Sequence, residues 1–137
     1  MTLQLRPDMS IAELQKQFAL LFPYLKIIFF TVPHKEGGSV WSKFQVFDTQ
    51  KKIGDVSHFE EVIIYELSPI LTTGAFEQDW QERFGLFIQV FRQSKDVWLA
   101  TSSSDSWTLI QQNQVGNESA HTTTQMIYET RSLDDMD

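Results

Sequence analysis

The pattern of hydrophobic and polar positions along the chain occurs twice. Residues 3–29 align without a gap to residues 65–91, and large apolar residues fall at the same helical spacing in both copies. The identities pair Leu5 with Leu67, Pro7 with Pro69, Phe22 with Phe84, and Phe29 with Phe91. In the middle of the repeat, Phe18 is equivalent to Trp80. This self-similarity predicts a duplicated β-α-β unit, with repeat units at residues 3–32 and 62–92.

Each copy carries the signals of one amphipathic helix. In the first copy, Ser10 is a good N-cap, Glu13 completes a capping box, and Pro23 ends the helix. In the second copy, Thr72 is the N-cap, and Gly85 supplies the left-handed residue that often follows a helix. Apolar segments typical of strands lie before and after each helix. The pattern therefore predicts helices over residues 11–22 and 73–84, each between two strands.

These elements predict the fold class. A strand, a helix and a second strand joined by short links favour a parallel crossover. Two such units predict a two-layer α+β fold, in which a mixed sheet of four to five strands carries two helices on one face. A hairpin follows, with its second strand at residues 97–101. A short third helix over residues 107–113, capped by Ser104 or Asp105 and ended near Gly116, completes one domain at residues 1–116.

Two segments have weaker patterns. Residues 33–59 join the two repeat units, and we expect one short strand near Trp41 and Phe44 and a single helical turn at residues 53–56. Residues 117–137 are mostly polar and contain Glu118, Asp134, Asp135 and other acidic residues. We predict that they form an acidic, flexible tail outside the domain.

Composition narrows the classes of function. The chain has 137 residues, a formal net charge of -7 and no cysteine. The absence of cysteine excludes disulfides and thiolate metal sites, and it fits a reducing compartment. The negative charge opposes binding to phosphate backbones, so we expect no nucleic-acid partner. The longest apolar run, residues 27–30, is too short to cross a bilayer and the N-terminus lacks signal-peptide features, so we predict a cytoplasmic protein without a membrane partner.

An aromatic sheet face is the sequence feature closest to function. We expect Phe87, Phe91 and Trp98 to lie on the face away from the helices. In the simpler interpretation, the segment with Trp41 or the third helix with Trp107 covers this face. In the functional interpretation, the face is partly open and binds a second copy, another protein or a small ligand. The predicted binding residues are these five aromatic residues.

The polar residues form no catalytic signature. The three histidines share no metal-ligand spacing, so we predict no metal site, no cofactor and no catalytic residue. An alternative polar site would combine His34 and Glu36 with Ser104 and Asp105, provided that their two loops meet at one edge of the sheet. The leading hypothesis is a non-enzymatic module for protein interaction or small-ligand binding. The alternative is a small enzyme or accessory subunit that uses loops 34–36 and 102–105.

Two runs of the sequence resemble a known group of proteins. They are FPYLKIIFFTVPHKEGG, which begins at Phe22, and FGLFIQVFRQSKDVWLATSSSDSWTLIQQN, which begins at Phe84. The chain is similar here to an uncharacterised family of small bacterial α+β proteins, found chiefly in Bacteroidota, with no assigned activity. The resemblance covers most of residues 3–116. It implies a stand-alone cytoplasmic domain and assigns no functional residue.

Overall fold

The chain folds into five strands and three helices over residues 1–33 and 42–121, which are the residues that the computed structural model describes. The strands are β1 (Thr2–Leu5), β2 (Leu25–Phe30), β3 (Ile63–Glu66), β4 (Phe87–Ser94) and β5 (Val97–Ala100). The helices are α1 (Ile11–Leu21), α2 (Thr73–Phe84) and α3 (Leu109–Ala120), and short 3-10 turns lie at Ser42–Phe44, Ile53–Asp55 and Ser102–Ser104. The predicted α+β class is confirmed.

The strands form two antiparallel sheets. One is a ribbon of β1 and β3, and the other has the order β2-β4-β5. The predicted parallel crossover and single mixed sheet were wrong, because β1 and β2 lie in different sheets. Each of these strands pairs instead with its counterpart from the other copy. The short links seen in the sequence limit how far a strand can lie from its helix. They do not specify which other strand it pairs with.

The strand pairing relates the two copies by an approximate two-fold rotation. Leu3 and Tyr65 are equivalent in the sequence repeat, and they lie directly opposite each other in the ribbon. In the larger sheet, Ile27 lies opposite Val90 near the centre of the pairing between β2 and β4. Antiparallel pairing of a strand with its own copy is what a two-fold axis generates. The duplication predicted from the sequence is therefore present in the fold.

The two copies share one hydrophobic core. Phe18 of α1 and Trp80 of α2 are both fully buried. Phe76 joins them, since its ring stacks on Phe18 with centroids 5.5 Å apart and meets Trp80 edge-on at 5.0 Å. Such aromatic pairs add about 0.5–1.5 kcal/mol to the stabilisation from burial. The equivalence of Phe18 and Trp80 in the repeat is thus confirmed.

The gapless alignment fails by one residue after the helices. Leu25 and Leu86 are the first buried hydrophobic side chains after the helix-end phenylalanines, and the link before them is one residue shorter in the second copy. A shift of one residue reverses the face of every side chain in a strand. Phe29 is accordingly buried, whereas Phe91 is partly exposed on the opposite face. The identity of these two phenylalanines in the alignment is not a structural equivalence.

A later segment of the second half caps the first turn of α2. The N–H groups of Thr73 and Gly74 donate to the carbonyls of Trp107 and Asp105, respectively, each at 2.8 Å. The third free N–H group, that of Ala75, donates to the side chain of the N-cap Thr72. These bonds satisfy donors that a helix N-terminus otherwise leaves unpaired. They also fix the segment around Asp105 against α2.

The first half has the same arrangement. The N–H groups of Ile11 and Ala12 in α1 donate to the carbonyls of Lys51 and Thr49, each at 2.9 Å. The short turn Ile53–Asp55, predicted from the sequence, follows this segment at the place where α3 follows the equivalent segment of the second half. The duplicated unit therefore extends beyond the predicted β-α-β core and includes the capping segment.

The third helix begins later and ends later than predicted. Its N-cap is Thr108 rather than Ser104 or Asp105, and the Thr108 side chain accepts an N–H from the first turn. Gly116 does not end the helix but allows close packing, because a Cβ there would lie 2.8 Å from the Cβ of Tyr24. The sequence interpretation took a packing glycine for a helix end. Residues 117–120, predicted to belong to the tail, are the last turn of α3.

The segment between the repeat units is only partly described. The predicted strand near Phe44 is a 3-10 turn, and Gln45 after it forms a single bridge with Phe30 at the free edge of β2. Trp41 and the tail residues 122–137 lie outside the described residues. Across the two described ranges, no helix has the length and hydrophobicity needed to cross a membrane.

Candidate functional site

Three of the predicted binding residues share one face of the larger sheet. The strand register places Phe87, Phe91 and Trp98 on the face away from the helices, as expected from the sequence. Trp98 is 37% exposed, and the two phenylalanines are half-buried. The Lys26 ammonium lies 4.6 Å from the centre of the Trp98 ring, and partial burial lowers the pKa of Lys26 from its usual value. We call Phe87, Phe91 and Trp98 the aromatic face.

A buried amide lies in the middle of the aromatic face. Gln89 is between Phe87 and Phe91 in β4 and is 1% exposed, yet its Nε2 has no hydrogen-bond partner among residues 1–33 and 42–121. Leaving such a group unsatisfied costs on the order of 1–3 kcal/mol. The aromatic face therefore contains a buried polar side chain as well as aromatic rings.

The remaining predicted residues do not join the aromatic face. Trp107 lies on the helix side of the sheet, where the Arg92 guanidinium is 5.3 Å from its ring centre. The third helix therefore does not cover the aromatic face, so that half of the simpler interpretation was wrong. Trp41, His34 and Glu36 lie outside the described residues, and their predicted roles stay predictions.

The two described residues of the alternative polar site have different surroundings. The Ser104 hydroxyl accepts a hydrogen bond from the Gln112 amide at 3.0 Å, and the Ser104 backbone carbonyl accepts another from the same amide at 2.8 Å. Ser104 is thereby held to α3. Asp105 lines a cleft beside α2, together with Glu77, a residue that the sequence interpretation did not select.

The cleft lies between α2 and the segment of residues 105–107 that caps it, which we call the capping segment. Its volume is about 390 Å³. The described residues that line it are Thr72, Gly74, Ala75, Glu77, Gln78, Gln81, Asp105 and Ser106. Gly74 permits the close approach of its two walls, because a Cβ there would lie 3.2 Å from the backbone oxygen of Asp105. The capping bonds described above therefore also set the shape of this cleft.

Glu77 lines the buried side of the cleft and hydrogen-bonds to the edge of β4. Its side chain is buried at 4% exposure, and its Oε2 accepts the Val90 N–H at 2.7 Å. Val90 lies where β5 leaves β4, and its carbonyl accepts a bond from the Thr101 hydroxyl at 2.8 Å. The Glu77 carboxyl thus takes the place of the missing strand at this point of the β4 edge.

The surroundings of Glu77 favour its protonated form. The pKa of its carboxyl is raised to about 8, mainly by burial; the bond from Val90 acts in the opposite direction, and the negative charge of Asp105 adds to the effect of burial. At neutral pH the group is therefore mainly a neutral acid. Within the described residues, Glu77 is the one acidic side chain that is buried.

The equivalent position in the first copy carries an amide. Gln15 aligns with Glu77, and its Nε2 donates to the carbonyl of Ile27 at 2.9 Å. Gln15 and Glu77 therefore both bond the outer edge of a strand, but Gln15 bonds a carbonyl of β2 whereas Glu77 bonds an N–H of β4. An uncharged side chain is sufficient to bond the strand edge in the first copy. The acidity of Glu77 is an additional property of the second copy.

Glu77 could have been noticed in the sequence. It follows Phe76 directly and lies three residues before Trp80, so it belongs to the buried side of the predicted helix. A glutamate on an apolar stripe is rarely buried without a specific reason. The cleft itself could not have been predicted, because Asp105 comes from a segment whose place in the fold the sequence did not indicate.

The chemistry of the cleft is limited by its residues. Across residues 1–33 and 42–121, no group of three or more His, Cys, Asp or Glu side chains could hold a metal ion. What the cleft offers is one buried carboxyl group, a second carboxylate, and the amides and hydroxyls of its walls. These groups suit recognition of a small polar molecule.

Comparison with known proteins gives no match: no family model, no characterised protein and no solved structure is significantly similar to the chain. The resemblance to a bacterial family stays a prediction. Any functional conclusion therefore rests on the residues themselves.

Proposed function

We propose that the protein is a non-enzymatic module that binds a small polar ligand in the cleft beside α2. One observation carries this proposal: a buried carboxyl group forms the cleft floor at a position where the other half of the molecule uses an amide. A buried ionisable group is costly to the folded state unless it is compensated. Since the equivalent position of the first copy carries an amide, the duplicated unit does not require an acid there, and a ligand would explain the carboxyl group of Glu77.

The dimensions of the cleft support the same conclusion. Its volume of about 390 Å³ is at the small end of the range of ligand sites, roughly 300–1,000 Å³. Hydroxyl, amide and carboxyl groups converge on it from two segments that hydrogen bonds hold together. A small polar molecule would find several partners in one rigid setting, which lowers the entropic cost of binding.

Blocking the cleft tests this proposal. Ala75 lines the cleft and is exposed, so Ala75→Trp would fill it from the surface of α2. We expect a fluorinated fragment library, screened by ¹⁹F NMR, to yield binders of the wild type that Ala75→Trp abolishes. Glu82→Trp is the matched control, because it places the same bulky ring on an exposed part of the same helix outside the cleft.

The control decides how this screen is interpreted. Fragments that bind the wild type and Glu82→Trp equally, but not Ala75→Trp, support the cleft as the site. If no fragment is lost specifically in Ala75→Trp, the cleft is not a ligand site.

A second candidate function is self-association through β5 and the aromatic face. β5 is an outer strand of its sheet, and none of the described strands pairs with its free edge. Val97 and Leu99 are 52% and 46% exposed, and Trp98 lies between them. Exposed apolar edges of this kind favour addition of another strand. A second copy is the partner that fits, because two β5 strands related by a two-fold axis would pair antiparallel, as equivalent strands already do within the chain.

Trp98→Glu tests this association. We expect the wild type to be a dimer in light scattering and the variant to be a monomer, because the new carboxylate would be buried at the interface. The fold should survive the change, since Lys26 lies beside this position and can pair with a glutamate. Ile64→Glu is the control, because Ile64 is also exposed but lies in the other sheet.

Two results would contradict self-association. One is a wild type that is strictly monomeric at high concentration. The other is a dimer that both variants leave unchanged.

A further inference from the structure

We infer that the outer edge of β3 is a docking site for an extended, positively charged segment of another protein, which adds to the ribbon as a third strand. The inference is independent of the proposed function, because none of the residues that line the cleft belongs to β3. It follows from three observations: the unpaired backbone groups of this edge, the contrast with the closed edge of β1, and the side chains beside it.

The outer edge of β3 has backbone groups that point away from the ribbon. The Leu67 N–H donates to the Met1 carbonyl at 2.8 Å, so these two residues form a hydrogen-bonded pair of the antiparallel register. Such pairs alternate with pairs whose N–H and C=O groups point outward. Ile64 and Glu66 belong to pairs of the second kind. Their outward groups have no hydrogen-bond partner within residues 1–33 and 42–121.

The equivalent edge of β1 is closed by a side chain. The Gln17 side chain accepts the Gln4 N–H and donates its amide to the Gln4 carbonyl, both at 2.8 Å. A primary amide thus takes the place of a neighbouring strand. The residue equivalent to Gln17 in the second copy is Asp79, whose carboxylate cannot donate and instead accepts the Tyr65 hydroxyl at 2.7 Å. Of the two equivalent edges, that of β3 is therefore the open one.

Apolar and acidic side chains lie along this open edge. Ile64 is 59% exposed, and Val62, just before the strand, is 56% exposed. Glu60, Glu61 and Glu66 are also exposed, and within the part of the chain that the structure describes none of these glutamates forms an ion pair. A partner strand would therefore meet one apolar contact and several negative charges.

The basic side chains beside the ribbon already have acidic partners. The Arg83 guanidinium lies over the ring of Tyr65 and is 3.3 Å from the carboxylate of Asp79. Arg6, which follows β1, lies 3.6 Å from the carboxylate of Glu13. Neither arginine is paired with a glutamate of the β3 edge, so the negative charge of this edge is left for a partner.

These charges select the kind of partner. An extended peptide can add to an open strand edge, because its backbone supplies the hydrogen bonds and its alternate side chains supply specificity. A second copy of this chain would bring the same three glutamates to the edge, and like charges would oppose the pairing. A segment with Lys or Arg beside Glu66 and an apolar residue opposite Ile64 has the complementary pattern. The partner is therefore a strand of another protein.

A designed peptide tests the inference. In acetyl-Thr-Lys-Thr-Val-Thr-Lys-Thr-amide, the valine and both lysines lie on one face of an extended strand. We expect NMR titration of the ¹⁵N-labelled protein to show saturable shifts of the Ile64 and Glu66 amide signals. An analogue with glutamate in place of both lysines should not bind. N-methylation of the valine should weaken binding on the order of tenfold, because it removes a donor and obstructs the strand edge.

Matched variants assign the binding to the edge of β3. Ile64→Pro removes an outward N–H that no bond of the ribbon uses, so the variant should keep the fold and lose the peptide. Ile64→Val keeps this N–H and an exposed β-branched side chain, so it should bind the peptide as the wild type does.

Four results would overturn the inference. They are equal binding of the basic and acidic peptides, equal binding of the N-methylated peptide, a titration in which no amide signal of β3 shifts, and a dimer of the protein that Ile64→Pro abolishes. The last of these would assign the edge to a second copy. The N-methylated peptide leaves the protein unchanged, so the test holds even if Ile64→Pro does not fold.

Discussion

Replacing Glu77 with glutamine is expected to stabilise the protein in alkaline solution by about 3–5 kcal/mol. The reason is the raised pKa of the buried carboxyl, about 8 in the folded protein against an ordinary value of 4.5. A glutamine can still accept the Val90 N–H through its side-chain oxygen, and the equivalent position of the first copy carries the amide of Gln15. The variant therefore keeps the hydrogen bond and loses the group that resists ionisation.

The direction of the pH dependence follows from proton binding. Between pH 4.5 and about 8 the folded protein holds a proton on Glu77 that the unfolded chain has released. The contribution of Glu77 to the free energy of unfolding is therefore fully present below pH 4.5, and it is lost progressively as the pH rises towards 8. One proton changes the free energy of unfolding by about 1.4 kcal/mol per pH unit.

Urea unfolding across this pH range measures the effect. The wild type should lose stability as the pH rises, and Glu77→Gln should show a much flatter profile. Glu82→Gln removes a carboxylate from an exposed position of the same helix and should follow the wild type. A Glu77→Gln profile parallel to that of the wild type would show that Glu77 titrates normally.

Truncation of Trp80 to alanine is expected to destabilise the protein by about 3–5 kcal/mol. Trp80 is fully buried and contacts the rings of Tyr65, Phe76 and Phe84. Its removal leaves a cavity where the two copies meet, and neighbouring rings can fill it only in part. Since domains of this size are stable by about 5–15 kcal/mol, the variant should be close to unfolding.

Thermal and urea unfolding of matched variants check this prediction. Phe18→Ala should be similarly destabilising, because Phe18 is equivalent to Trp80 and equally buried. Leu20→Ala is the control, since Leu20 lies on the same helix as Phe18 but is 74% exposed. A small loss for Trp80→Ala, comparable to that for Leu20→Ala, would contradict a single shared core.

Much of the fold could be predicted from local signals in the sequence. The capping residues and apolar stripes specified α1 and α2, because these helices depend on interactions within a few residues. The internal repeat indicated that Phe18 and Trp80 occupy matching core positions, and both are buried. These features need no knowledge of which strands are neighbours.

Strand partners could not be predicted in the same way. Pairing is a long-range property, and a strand of four residues such as β1 carries little information about its neighbour. The repeat itself contained a hint, because duplicated units often associate about a two-fold axis, which favours antiparallel pairs. The one-residue difference before Leu86 was hidden because the phenylalanines on both faces of the strands allow a gapless alignment.

The candidate site was predicted only in part. Asp105 and Ser104 were selected as polar residues near the third helix, and Asp105 does line the cleft. Glu77 was not selected, because within the predicted helix no motif distinguishes it from the other polar residues. Glu77 differs from its counterpart Gln15 in being an acid. The difference becomes informative only when the structure shows which backbone groups the two side chains bond, namely the Ile27 carbonyl for Gln15 and the Val90 N–H for Glu77.

The titration of the Glu77 side chain tests the central claim most directly. With ¹³C-labelled glutamate, the carboxyl resonance of Glu77 can be assigned by its absence in Glu77→Gln and followed by NMR as a function of pH. The account predicts a midpoint near pH 8. A midpoint near the ordinary value of 4.5 would contradict it.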